Sequence, residues 1–148
     1  MGHEKKMQAA IDEALIAASL GEVPIGAALW LDDRLIATGR NRRLETSLAT
    51  SHAEIEVINA ACLTIGDWRL EGFSLYVTAE PCIMCAGAIL QARIKEVFFG
   101  VTEPKFGGLV SQTRLFDIAT LNHHPLCTGG IREEEIRRLM KDFFKKLR

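Results

Sequence analysis

No run of apolar residues in this 148-residue chain approaches the roughly twenty that cross a bilayer, which excludes a membrane-spanning helix. The start, Met1-Gly2-His3-Glu4-Lys5-Lys6, lacks the apolar stretch and small-residue cleavage site of a secretory signal. An intracellular, cytoplasmic protein is expected. Charge of one sign is lacking too: eighteen basic against nineteen acidic side chains leave −1, so no global field draws the chain to nucleic acid. Any such binding must come from a local patch. The strongest bias lies over 132–148, where seven basic side chains, Arg148 among them, face four acidic ones. Acids at the start and bases at the end of a helix complement its dipole equally well.

Repeats, low-complexity tracts and linkers are also missing, so one domain over 1–148 is expected, and 48% apolar residues suffice for a core without disulfides. Cysteine is scarce. Of the four, Cys62 and Cys127 have no motif partners and read as core, since unpaired cysteine is often buried. Cys82 and Cys85 form a close pair in a chain with no export signal, where metal ligation explains them better than a disulfide.

Apolar residues recur at three and four through Met7, Ala10, Ile11, Ala14, Leu15 and Ala18, predicting a helix over 4–20 that stops at Gly21. Segments 24–31 and 35–38 read as a β-hairpin around Asp32-Asp33, and 41–51 as polar and irregular. A helix follows over 52–65. Phe73, Leu75 and Val77 alternate with Ser74, Tyr76 and Thr78, the period of a strand, which ends at Pro81. Residues 82–93 have the composition of a buried helix and 97–99 that of a strand, a unit whose two strands should be parallel. A loop over 102–110, a helical stretch over 115–119, a short strand over 125–128 and an amphipathic helix past Gly130 complete the chain. The simplest assembly is α/β: a central mixed sheet with helices on both faces.

The chemistry lies in His52-Ala53-Glu54 and Pro81-Cys82-Ile83-Met84-Cys85. One imidazole and two thiolates make three ligands for a zinc ion and leave a fourth position for water, which distinguishes catalytic from structural zinc. Glu54 then fits a general base, because a fourth protein ligand would close that position. On a regular helix His52 and Glu54 would diverge by about 200°, so both serve one site only if it lies off a helix N-terminus. The site should sit between two helix starts, whose dipoles favour the thiolates of Cys82 and Cys85. A structural Cys₃His site recruiting Cys62, Cys127, His123 or His124 is the bland alternative, and it leaves Glu54 without a task.

These motifs resemble those of the cytidine deaminase superfamily. Flanking residues, among them Val23-Pro24-Ile25-Gly26-Ala27, Asn41-Arg42, Leu75-Tyr76-Val77-Thr78, Phe106-Gly107-Gly108 and Leu121-Asn122-His123, are most similar to those of bacterial tRNA-specific adenosine deaminases, over nearly the whole chain. The resemblance implies a cytidine deaminase-like three-layer α/β/α fold with a five-stranded sheet. It implies a homodimer that converts the wobble adenosine of a tRNA anticodon stem-loop to inosine. It further implies one zinc ion per chain on His52, Cys82 and Cys85, with activated water attacking C6 of adenine. Glu54 would carry protons to N1 and to the leaving ammonia. Asn41 matches an asparagine that contacts the target nucleoside, and Pro24, Ile25 and Ala53 match pocket-lining positions. Glu103 and Lys105 match a loop that meets RNA. Ser51, Ala79 and Leu109-Val110-Ser111 depart from the usual family residues. Deamination of a free base or nucleoside, such as guanine, cytosine or cytidine, is the alternative.

Overall fold

The computed structural model describes residues 1–147; Arg148, counted above in the basic C-terminal segment, lies outside them. Helix α1 covers His3–Ser19, and the chain reverses through Gly21 at φ +80°, a left-handed conformation that costs glycine little. Strands β1 (Gly26–Leu31) and β2 (Arg34–Arg40) form the expected hairpin, turning through Asp32 at φ 53°. Helix α3 (Ala53–Ile65), strand β3 (Phe73–Ala79), helix α4 (Ile83–Gln91), strands β4 (Glu96–Val101) and β5 (Leu126–Thr128) and helix α5 (Glu133–Lys146) follow.

Two stretches differ from expectation. Residues 41–51 contain a one-turn helix, α2 (Arg43–Thr46), whose first N–H groups are capped from a distance by Glu22: its carboxylate accepts from Leu44 N at 3.0 Å and Glu45 N at 2.9 Å. The helix expected over 115–119 is only a 3₁₀ turn, Leu115–Asp117. Elements of four and three residues are too short to show a hydrophobic period, so α2 was missed and the length of the turn at 115 was overestimated.

The sheet has the order β2-β1-β3-β4-β5, antiparallel between β2 and β1 and between β1 and β3, and parallel from β3 to β4 and from β4 to β5. It is the expected five-stranded mixed sheet. Period-two alternation sends Ala28, Trp30, Tyr76 and Phe98 to one face, against Met7, Ala10 and Ile11 of α1 and Ile136 of α5. Ala27, Leu29, Leu75, Val77, Val97 and Phe99 face the other way, onto Val57 and Ala61 of α3 and Ala86 and Ile89 of α4. Three layers result. Small residues set the spacing: a Cβ on Gly26 would collide with the carbonyl of Ala10 and lie 2.6 Å from Ala14 N, so only glycine lets α1 cross β1 this closely. On the α3 and α4 side, both helices begin near one end of the sheet.

Candidate active site

His52 is the N-cap of α3, in extended conformation at φ −72°, ψ 154°, and Glu54 stands in the first turn that follows. Cys82 is likewise the N-cap of α4, at φ −72°, ψ 176°, and Cys85 occupies its first turn. The two helix starts meet, which resolves the 200° divergence: an N-cap side chain need not follow the helical spiral, and first-turn groups converge on the axis. His52 Nδ1 lies 3.5 Å from Cys85 Sγ and 3.7 Å from Cys82 Sγ, and the three donor atoms fall within 4.8 Å of one another. These residues could hold a metal ion. Cys62 and Cys127 are not part of the group, and His123 and His124 are engaged elsewhere, on the carbonyls of Ile94 and Phe116.

The cluster borders a pocket of about 470 Å³. Glu54 is 4% exposed at its wall, and burial pushes its carboxyl up to about 7, where it can both take and give a proton near neutral pH. The Cys85 side chain hydrogen-bonds to Cys82 and, with burial opposing and His52 assisting, holds the Cys82 thiol down at about 4. Cys85 is pushed far up by that neighbouring thiolate and by burial. Without a cation the pair therefore favours a single thiolate, and the two thiolates expected from the helix dipoles belong to the metal-bound site. Like charges this close do not both form without a cation between them.

Of the expected substrate residues, Asn41, Ile25, Ala53 and Glu103 line the pocket. Pro24 is buried and Lys105 exposed, and neither belongs to the lining. Asn41 is fixed from both ends of its amide, donating to the Val23 carbonyl at 3.4 Å and accepting from Arg43 N at 3.2 Å, which leaves one N–H and one lone pair free for a ligand. Ser51, a departure from the family pattern, accepts from the Thr46 hydroxyl at 2.8 Å, and its carbonyl accepts from Arg42 N at 3.0 Å, tying α2 to the start of α3.

Val23, Arg43, Ala79, Glu80 and Phe106 also line the pocket and were not expected there. Glu80 had one signal, a carboxylate at the end of an apolar strand with no local partner. It is 3% exposed; burial raises its pKa, but the Ser111 hydroxyl and several backbone N–H donors outweigh that and hold it below the usual carboxylate value.

The MafB19-like deaminase model matches residues 1–148. A tRNA-specific adenosine deaminase of Agrobacterium fabrum is 45% identical over 142 residues, covering 96% of this chain and 93% of its own. A solved structure from work on A-to-I editing by tRNA:A34 deaminases superposes with a TM-score of 0.88 at 45% identity, covering 91% of this chain and 98% of the other. A guanine deaminase from Bacillus subtilis gives 0.65 at 36% identity over 69% of this chain and 66% of the other. With its donor cluster and mixed sheet where the motifs predicted them and a family match along its whole length, the chain belongs to the MafB19-like deaminases of the cytidine deaminase superfamily.

Proposed function

We infer that this chain is a zinc-dependent hydrolase that converts adenosine to inosine at the wobble position of a tRNA anticodon and releases ammonia. The carrying observation is the pocket wall on which His52, Cys82 and Cys85 offer one metal position beside the buried carboxylate of Glu54. Likeness to tRNA-specific adenosine deaminases over nearly the full length of both chains supports the substrate.

Two sulfur donors and one imidazole suit zinc among divalent cations, and three ligands leave the position that catalysis needs. One zinc per chain would supply Lewis-acid activation of water near neutral pH. Glu54 takes the proton that water gives up as it attacks C6 and delivers it to N1 of the adenine. The same carboxylate then carries the proton of the new C6 hydroxyl to the amino group, which leaves as ammonia; adenosine and water balance inosine and ammonia. Asn41 offers its free amide N–H and lone pair to the nucleoside, Ile25 and Ala53 form the apolar wall, and Glu103 stands at the rim with Lys105 outside it toward the RNA. Pro24, buried between the lining residues Val23 and Ile25, fixes the backbone that carries them. A volume of about 470 Å³ accepts an unstacked nucleoside.

The test incubates purified, zinc-loaded protein separately with unmodified tRNA and with free bases, then assays inosine and ammonia. Inosine at the wobble position is expected, and Asn41→Ala should raise KM for tRNA about tenfold, the scale of an unpaired buried hydrogen bond. Ammonia from guanine with no inosine in tRNA would overturn the reading and favour the guanine deaminase likeness.

The single domain of 1–148 is supported by two apolar clusters on opposite faces of one sheet. Four free cysteines, two of them needed as metal ligands, support a reducing, cytoplasmic location, and among the described residues no helix is long and apolar enough to cross a membrane. A homodimer is supported by Ile83 and Met84, adjacent apolar residues 51% and 37% exposed at the start of α4. Sedimentation should return twice the chain mass of 16.4 kDa, and the monomer mass at micromolar concentration would remove the dimer.

A further inference from the structure

Glu80 sits just past β3, and its two carboxylate oxygens carry five donors. Oε1 accepts from Glu103 N at 3.0 Å and from the Ser111 hydroxyl; Oε2 accepts from Leu109 N at 3.1 Å, Val110 N at 2.8 Å and Ser111 N at 3.0 Å. An ionised carboxylate has about four lone-pair sites, so none is left for a ligand although Glu80 borders the pocket. Its partners stand at both ends of the loop 102–111. Close packing seals the inner edge of that loop: a Cβ on Gly107 would collide with the Glu80 carboxylate, and one on Gly108 would lie 3.0 Å from the backbone of Cys82 and Ile83. Gly108 N also donates to the Pro81 carbonyl at 2.8 Å.

What this clamp presents is Phe106. Its side chain lines the rim of the pocket that holds Glu54, yet it is 66% exposed and belongs to neither apolar cluster. A large aromatic kept in water on a loop fixed at both ends contributes nothing to the core, whereas a base stacked on it would cover the ring. The hydrogen bonds from Glu103 N and from Leu109, Val110 and Ser111 N to Glu80 fix the backbone on both sides of Phe106.

We propose that Phe106 is the stacking platform for the nucleotide adjoining the target, and that Glu80 is the positioning residue that holds it at the rim. This rests on the RNA reading above, with a single-stranded stretch of RNA as the ligand. Glu80 acts through the loop; Phe106 touches the substrate.

The experiment measures deamination of an anticodon stem-loop with adenosine at the wobble position, beside stem-loops made abasic at the nucleotide on either side in turn. Turnover of the intact stem-loop by the unaltered enzyme checks the RNA reading independently. Phe106→Ala should raise KM for the intact RNA about tenfold or more with kcat within about threefold, the scale of one lost base–aromatic stack, and Phe106→Trp should restore it. With one of the two abasic RNAs the Phe106→Ala effect should vanish.

Glu80→Gln, which turns an amide NH₂ toward backbone N–H donors, should reproduce the KM rise. It should speed amide exchange over 102–111 about tenfold and add little on top of Phe106→Ala. If that variant fails to fold, Ser111→Ala removes one of the five donors, and the same changes should follow in smaller degree. Unchanged KM in Phe106→Ala, or an equal loss on both abasic RNAs, overturns the platform. Metal lost from Glu80→Gln with KM unchanged overturns the clamp and makes Glu80 a support of the metal site instead.

Discussion

Glu54→Gln is expected to cut kcat on the order of 10⁴-fold, the upper range for a general acid–base group, while zinc content stays at one per chain. The size of the effect follows from how often the carboxylate is used. On the proposed mechanism it takes the proton from water, places it on N1, and returns a second proton to the amine, and each of the other acidic or ligating side chains at the pocket wall is engaged elsewhere. His52 and Cys82 would hold the metal, Glu80 has its lone pairs filled by five donors, and Glu103 accepts from Lys105 N at 3.1 Å on the loop at the rim. Glutamine keeps the volume and one acceptor but cannot shuttle a proton, so the fall should appear in kcat with KM nearly unchanged. Glu54→Ala should lose as much turnover. Metal analysis beside an activity assay decides: residual turnover above about one percent would remove Glu54 from proton transfer, and loss of zinc with the activity would make it a support of the ion.

The motif residues were legible because their chemistry is local. Cys82 and Cys85 three apart, with Pro81 before them, specify a grip at a helix start whatever the rest of the chain does. The divergence between His52 and Glu54 required that the site lie off a helix end, and both ligand-bearing helices do begin with the ligand as N-cap. Parallel pairing of β3 and β4 followed from chain handedness once the strand-helix-strand order was read.

What stayed hidden is long-range. Glu22 caps α2 from 22 residues away, and Glu80 reaches donors 23 to 31 residues downstream. Backbone N–H groups carry no sequence signature, so the residue pattern could mark Glu80 as a carboxylate without a local partner but not show which donors it or Glu22 gathers. Phe106 was hidden for the opposite reason: a phenylalanine between Lys105 and Gly107 carries no mark of exposure. The dipole argument considers each cysteine alone, so it says nothing of how the two thiols act on each other in the metal-free site. Proximity couples them, and one proton remains until a cation arrives.

That shared proton shapes the second large effect. Cys85→Ala should abolish stable zinc binding and lower activity more than about 10³-fold, because two remaining ligands do not retain the ion against competing chelators. In the unaltered protein, zinc must displace the protons of Cys85, pushed far up, and of His52, raised by Cys82, so uptake by the metal-free form should release protons and its affinity should rise with pH. Calorimetry in buffers of different ionisation enthalpy reads both. The fold, by contrast, should survive. The core rests on two apolar clusters spanning both faces of the sheet, and Cys85, though buried, is a member of neither. Losing zinc held at about 1,000-fold above its Kd costs about 4 kcal/mol, roughly 10 °C in Tm for a chain of this size. A metal-free protein with native circular dichroism and a cooperative melt is the expected result. Unfolding on chelation would mean that the ion is a structural staple, and the division of labour between an apolar scaffold and a catalytic metal would be wrong.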